Sequence, residues 1–303
     1  MNWFKFIFIL LLAHLYSGSL FSQGCSDAGF CTMSDFKPEE ADSLTASVNK
    51  LLFGVTFGSA DHNISVFGTY LEYNRKFGRK FGVDIKATTL SQSGNGVSTF
   101  GVGDLFLSGS YRINKIFGLT MGVKVPLTDG NRLLNNQPLP MDYQSSLGTF
   151  DLIIGSGFNL KKLQMVLAVQ YPLTQNSNTF LSSDYSADNA LSGFQSTNKY
   201  IRSSDILFRI SYTFKLGKKL NLIPGLLPIY HLSNDKFTDF DQIQKEIVGS
   251  EGLTLNANLY LNYEINNNSN VQLIFGAPLI IRDARPDGLT RHYVFSLEYN
   301  FSF

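Results

Sequence analysis

The last eleven residues, Tyr293-Val294-Phe295-Ser296-Leu297-Glu298-Tyr299-Asn300-Phe301-Ser302-Phe303, decide how the rest of the chain is read. Tyr293, Phe295, Leu297, Tyr299, Phe301 and Phe303 occupy every second position, with Ser296, Glu298, Asn300 and Ser302 between them. Successive side chains of an extended strand point to opposite faces, so this segment has one greasy face and one wet face. The same split sets Leu253, Leu255, Ala257, Leu259, Leu261 and Tyr263 against Thr254, Asn256, Asn258, Asn262 and Glu264. It recurs with Ile206, Phe208, Ile210, Tyr212 and Phe214 against Asp205, Arg209, Ser211, Thr213 and Lys215. In a soluble sandwich the greasy face needs a second sheet, and charges on the other face would need water in the middle. Lipid outside and water inside satisfies both.

Working outward from these three, twelve such segments lie near residues 47–58, 62–75, 79–90, 98–113, 116–128, 145–160, 162–173, 199–214, 219–232, 251–265, 270–282 and 290–303. Connections after even-numbered segments are tight, whereas residues 129–144, 174–198 and 233–250 form long polar links after odd-numbered ones. Short periplasmic turns alternating with long external loops, and an even count, predict an all-β, transmembrane, antiparallel up-and-down β-barrel of about 12 strands, here over residues 47–303. The competing reading, a soluble secreted β-sandwich, has shorter strands and no inward Lys124, Asp151, Arg209 and Glu298. A register slip would turn those charges to lipid at about 2–4 kcal/mol each near the midplane, so the register is expected to be firm.

The N-terminus carries one positive charge, Lys5, before the apolar run Phe6 to Ala13 and small residues at Ser17-Gly18-Ser19 and Ser22-Gln23. This predicts a cleaved signal peptide over residues 1–22 and, with the barrel, residence in the outer membrane of a Gram-negative bacterium. No stretch after Ser17 is long and apolar enough for a membrane-spanning helix. The expected partners are outer-membrane lipid and a small-molecule solute. A net charge of +1 gives no field for gripping nucleic acid. Cys25 and Cys31, just past the cleavage point, favour a small disulfide-closed loop; lipidation of Cys25 and a metal site are the alternatives, and no nearby His or Cys completes a metal shell.

Three down-running segments open with Asp104, Asp151 and Asp205, and alternation puts each in the lumen. With Arg112, Lys124, Arg209 and Glu298 they are the lumen-lining candidates. Four up-running segments close with Pro126, Pro172, Pro228 and Pro278. Proline removes a ladder donor, so each either ends its strand or marks a bulge that opens a lateral slot in the wall.

The run Phe100-Gly101-Val102-Gly103-Asp104-Leu105-Phe106-Leu107-Ser108-Gly109-Ser110-Tyr111-Arg112, followed by Gly122-Val123-Lys124-Val125-Pro126 and by Gly148 to Gly155, resembles the outer-membrane barrels of meta-cleavage phenol-degradation pathways. Those are relatives of long-chain fatty-acid and aromatic-hydrocarbon channels. The resemblance covers residues 98–175 and departs at Thr128-Asp129-Gly130-Asn131, where a Thr-Gly pair is expected. It implies passive uptake of small hydrophobic or aromatic molecules. It also implies that residues 23–46 could sit in the lumen as a hatch; a periplasmic tail is the other reading. Phe303 resembles the aromatic C-terminal signal read by the barrel assembly machinery.

Catalysis lacks its parts. Removal of the leader leaves His62, His231 and His292, each at a strand end, and alternation places no Ser beside a His as an outer-membrane hydrolase would need. Asp104, Asp151 and Asp205 facing Lys124, Arg112 and Arg209 read as a charged network across a pore rather than an acid cluster for chemistry. No phosphate loop, zinc spacing or calcium loop is found, so no cofactor and no metal is expected. A barrel with a purely structural or surface-binding role, using its long loops, is the second reading.

Overall fold

A computed structural model describes residue 33 and residues 36–38, 49–288 and 292–303. The expected leader and the Cys25/Cys31 pair lie outside the described residues. Twelve long strands form one antiparallel sheet: β1 (Asn49–Ser59), β2 (Ser65–Phe77), β3 (Phe81–Gly94), β4 (Val97–Arg112), β5 (Phe117–Pro126), β6 (Asp151–Leu160), β7 (Leu163–Pro172), β8 (Asp205–Tyr212, resumed at Phe214–Lys215), β9 (Leu220–His231), β10 (Gly252–Asn266), β11 (Ser269–Ile280) and β12 (Tyr293–Ser302). Each pairs with its sequence neighbours, and β12 returns to pair with β1 from Lys50↔Ser302 to Ser59↔Tyr293, which closes the barrel. Among the described residues no helix is long and apolar enough to cross a membrane.

The alternation read from the sequence sets the sidedness. In β12 the outward Phe295, Leu297, Tyr299 and Phe301 are 40–45% exposed, while Ser296, Glu298 and Asn300 are buried. Toward the turn end of the barrel, aromatic rings pair across or along strands: Phe81 with Tyr111 at 4.7 Å, Phe117 with Phe158 at 4.9 Å and Tyr212 with Phe214 at 4.8 Å. Aromatic rings in such a girdle suit the boundary between hydrocarbon and water.

Four segments begin three or more residues later than their pattern suggests, at Ser65, Asp151, Asp205 and Tyr293. Before β6 the chain turns into the barrel mouth instead: Leu147 and Thr149 are buried, and the inward Gln92 of β3 donates to the Gln144 carbonyl at 2.6 Å. β3 and β4 run further than expected, to an Asn95-Gly96 turn in which both residues have positive φ, a conformation that Asn and Gly tolerate. The long loops carry a core of their own. Leu139, Tyr143, Phe180, Leu191 and Phe194 pack with Ala60, Ile64, Val66 and Val97 on the outer rim of β1 to β4.

Candidate functional site in the barrel lumen

Neighbouring strands bring most of the inward charges together. Lys124 and Asp151 are register partners on β5 and β6, with Lys124 Nζ 2.9 Å from Asp151 Oδ2 and both side chains fully buried. Lys124 also donates to Thr149 Oγ1 at 2.9 Å, and Gln170 donates to Asp151 at 2.6 Å. Asp104 accepts from the Ser146 hydroxyl. Across the lumen Glu298 accepts from both Lys37 and the Tyr70 hydroxyl, and Lys86 lies 3.5 Å from Glu72 and 3.7 Å over the Tyr70 ring. Arg209 donates to the Phe36 carbonyl. Arg112 stands apart. β4 reaches its turn there, the Arg112 amide donates to the Lys80 carbonyl, and the side chain is exposed at the turn end instead of joining the buried network.

Asp205 anchors a chain of buried polar groups at the outer ends of β8 and β9. It accepts from Arg202 and sits 2.6 Å from His231 Nδ1, whose Nε2 is 2.7 Å from Asp235. Tyr200 donates to the second Asp235 oxygen at 2.7 Å. Burial, with Asp235 and Asp287 beside it, pushes the Tyr200 phenol well above its ordinary range, so it remains a donor. His231 therefore lies inside a clamp that ties the loop after β9 to the barrel rim. At the sequence level it read only as a histidine at a strand end.

The inward face is not wet throughout. Phe106, Ile153, Ala168, Leu207, Leu227 and Ile229 form an apolar sector, and Met33 and Phe36 pack into it. Two glycines make the room. A Cβ on Gly155 would lie 2.5 Å from the Phe36 ring, and one on Gly122 would lie 2.5 Å from the Met33 methyl. Sequence reading missed Lys37, Tyr70, Glu72 and Lys86 as site residues, although the last three share the inward parity of their strands.

The four prolines differ among themselves. Pro126 and Pro172 are the last residues of β5 and β7, opposite Asp104 and Asp151, without a register shift. Pro278 does sit at a bulge: Asn256 pairs with Pro278 but Leu255 pairs with Ile280, leaving Leu279 extra. Pro228 neither faces the lumen nor begins a bulge. The pairing of β8 with β9 lapses between Leu207↔Ile229 and Ile210↔Leu226 yet resumes in the same register, as expected where a donor is missing from one rung. The other bulge in the outer half is in β4, where Gly103 and Asp104 together oppose Thr88. The Thr88 hydroxyl bridges that gap, donating to the Asp104 carbonyl at 3.1 Å and accepting from its amide at 2.9 Å.

Between the Lys37–Tyr70–Glu298 cluster and the Ser145-Ser146 backbone lies a cavity of about 220 Å³. No family model matches the chain, and no curated protein matches it. Among solved structures it is similar to the KdgM porin, at 11% identity and a TM-score of 0.45 over 84% of this chain and 99% of that one. It is also similar to the CymD monoaromatic hydrocarbon channel, at 10% identity and a TM-score of 0.44 over 95% and 99%. A third is the translocator domain of the autotransporter NalP from Neisseria meningitidis, at 10% and 0.44 over 87% and 93%.

Proposed function

We propose that this chain is an outer-membrane channel for passive uptake of small solutes, hydrophobic or aromatic compounds among them, of the kind associated with phenol degradation. In this reading residues 1–22 direct export and are removed, and residues 23–46 plug the lumen. The observation that carries it is the sidedness of a closed barrel. Phe53, Leu71, Phe81, Phe100 and Met121 point outward at 52–63% exposure, while Lys124, Asp151, Arg209 and Glu298 are buried inside. An apolar surface of that extent is incompatible with a dissolved monomer and suits acyl chains. The seating of Met33 and Phe36 against the lumen wall, and the ion pair of Lys37 with Glu298, support the plug.

Conductance in planar lipid bilayers tests this reading. The full mature chain is expected to conduct weakly, and the same chain without residues 23–46 to conduct strongly. A barrel silent in both forms would refute the channel and favour the structural role, to which the packed core of the outer loops also lends itself.

A further inference from the structure

The two ends of the barrel differ in charge. Ten Lys and Arg side chains are exposed in or beside four of the short turns, two or three to a turn. Arg79 and Lys80 follow β2, Arg112 and Lys115 frame the turn after β4, Lys161 and Lys162 follow β6, and Lys218 and Lys219 precede β9. Among the described residues no Asp or Glu is exposed at this end: Glu72 and Asp84 are buried and Glu264 is half-buried. At the loop end, by contrast, exposed Asp and Glu outnumber exposed Lys and Arg. The positive excess is therefore local, in a chain whose net charge is only +1.

Position decides what this charge meets. The same turns carry the aromatic girdle: Lys80 precedes Phe81, Arg112 follows Tyr111, Lys115 stands two residues before Phe117, and Lys215 follows Phe214. Phe77, Phe81 and Phe214 are 44–57% exposed. One or two residues of chain keep each of these charges within about 7 Å of its ring. The turns span only residues 78–80, 113–116, 161–162 and 216–219, too short to carry the charges away from the wall. The aliphatic stems of Lys and Arg lie along apolar surface while their heads reach polar surroundings, and phosphate is an acceptor that suits both heads. A protein partner would cover one face, whereas this charge follows the wall in an arc from β2 to β9.

We infer that the turn-end arc from β2 to β9 binds the phosphate headgroups of anionic phospholipids in the leaflet on the turn side, the inner leaflet in the orientation proposed above. Basic residues at a membrane surface attract anionic lipid over about a Debye length, roughly 10 Å at 0.1 M salt. The inference rests on the membrane-spanning part of the proposed function and not on conduction. It gives the barrel a lipid preference at one end only.

The test is electron spin resonance of spin-labelled lipid in phosphatidylcholine vesicles holding the full mature chain. Labelled phosphatidylglycerol and labelled phosphatidylcholine are compared for the fraction immobilised against the barrel wall. Phosphatidylglycerol is expected to associate at least about threefold more strongly at about 10 mM salt and to lose that preference at about 1 M. Lys80→Gln, Lys115→Gln, Lys162→Gln and Lys218→Gln combined, one in each turn, should remove at least about half of the preference. Lys199→Gln with Lys245→Gln, at the loop end, should leave it unchanged. The salt arm needs no substitution, so a variant that failed to fold would still leave the question decided. Equal association of the two lipids in the parent chain overturns the proposal, as does a preference that survives 1 M salt or the four turn substitutions. Co-sedimentation with purified peptidoglycan sacculi at low salt, without any lipid preference, would assign the arc to that polymer and overturn it as well. In each of these cases immobilised phosphatidylcholine still shows a barrel in its bilayer. If neither lipid is immobilised, the membrane-spanning reading itself fails, and the lipid site with it.

Discussion

Replacing Lys124 by Met removes one partner of an ion pair whose side chains have no exposure at all. Asp151 would then keep the Gln170 amide as its donor and the more distant Arg202 charge, having lost its contact counter-charge in a space closed to water. Breaking a buried pair in this way costs about 3–5 kcal/mol, whereas exchanging both partners for apolar groups of similar volume is often neutral or better. Lys124→Met is therefore expected to lose about 3–5 kcal/mol and Lys124→Met with Asp151→Leu to return to within about 1 kcal/mol of the parent. Unfolding by urea from lipid vesicles measures both. Far-ultraviolet circular dichroism and tyrosine fluorescence are the probes, because the single Trp, Trp3, falls in the proposed leader. A loss below about 1 kcal/mol in the single variant would place Lys124 against bulk water, where ion pairs contribute that little, and would refute the closed interior at this height.

Three further outcomes follow from the same geometry. Gly155→Ala sets a methyl 2.5 Å from the Phe36 ring and 2.9 Å from Ala168 Cβ, so it should dislodge Phe36 and raise the bilayer conductance of the full chain toward that of the chain lacking residues 23–46; unchanged conductance would refute it. Leu297→Arg turns a charge toward lipid and should cost about 2–4 kcal/mol in the urea titration if this position lies near the midplane, with a neutral effect counting against the assigned lipid face. His231→Ala leaves Asp205 and Asp235 without the imidazole between them, and trypsin added from outside should then cut at Lys236 or Lys245 faster while the barrel stays intact; equal cleavage rates would remove the clamp role.

How far the sequence could be read depended on the range of the physics involved. Strand alternation is local, so β10 and β12 were legible from their own residues, and Lys124 and Asp151 lie side by side on neighbouring strands. The bulge that turns both Gly103 and Asp104 inward depends on a threonine in the adjacent strand, and no spacing within β4 shows it. The apolar sector of the lumen was hidden for a similar reason. Phe106, Ile153, Leu207 and Leu227 look misplaced on a wet face until Met33 and Phe36, far away in the chain, supply what they pack against. The prolines were over-read as one class: a missing donor ends β5 and β7, accompanies a bulge in β11, and in β9 interrupts one ladder without moving its register.

The pairing of β1 with β12 also bears on how the molecule comes into being. Asn49 and Phe303 exchange backbone hydrogen bonds, so the first strand of the ring is completed by the twelfth. Until β12 is free of the ribosome the ribbon has two bare edges, each able to recruit another copy, and contacts of such long sequence separation form slowly. The export proposed above, in an unfolded state, would postpone that hazard until all twelve strands are at hand. Clipping even a few residues from the end would shorten the final rungs and leave those edges to find each other between molecules.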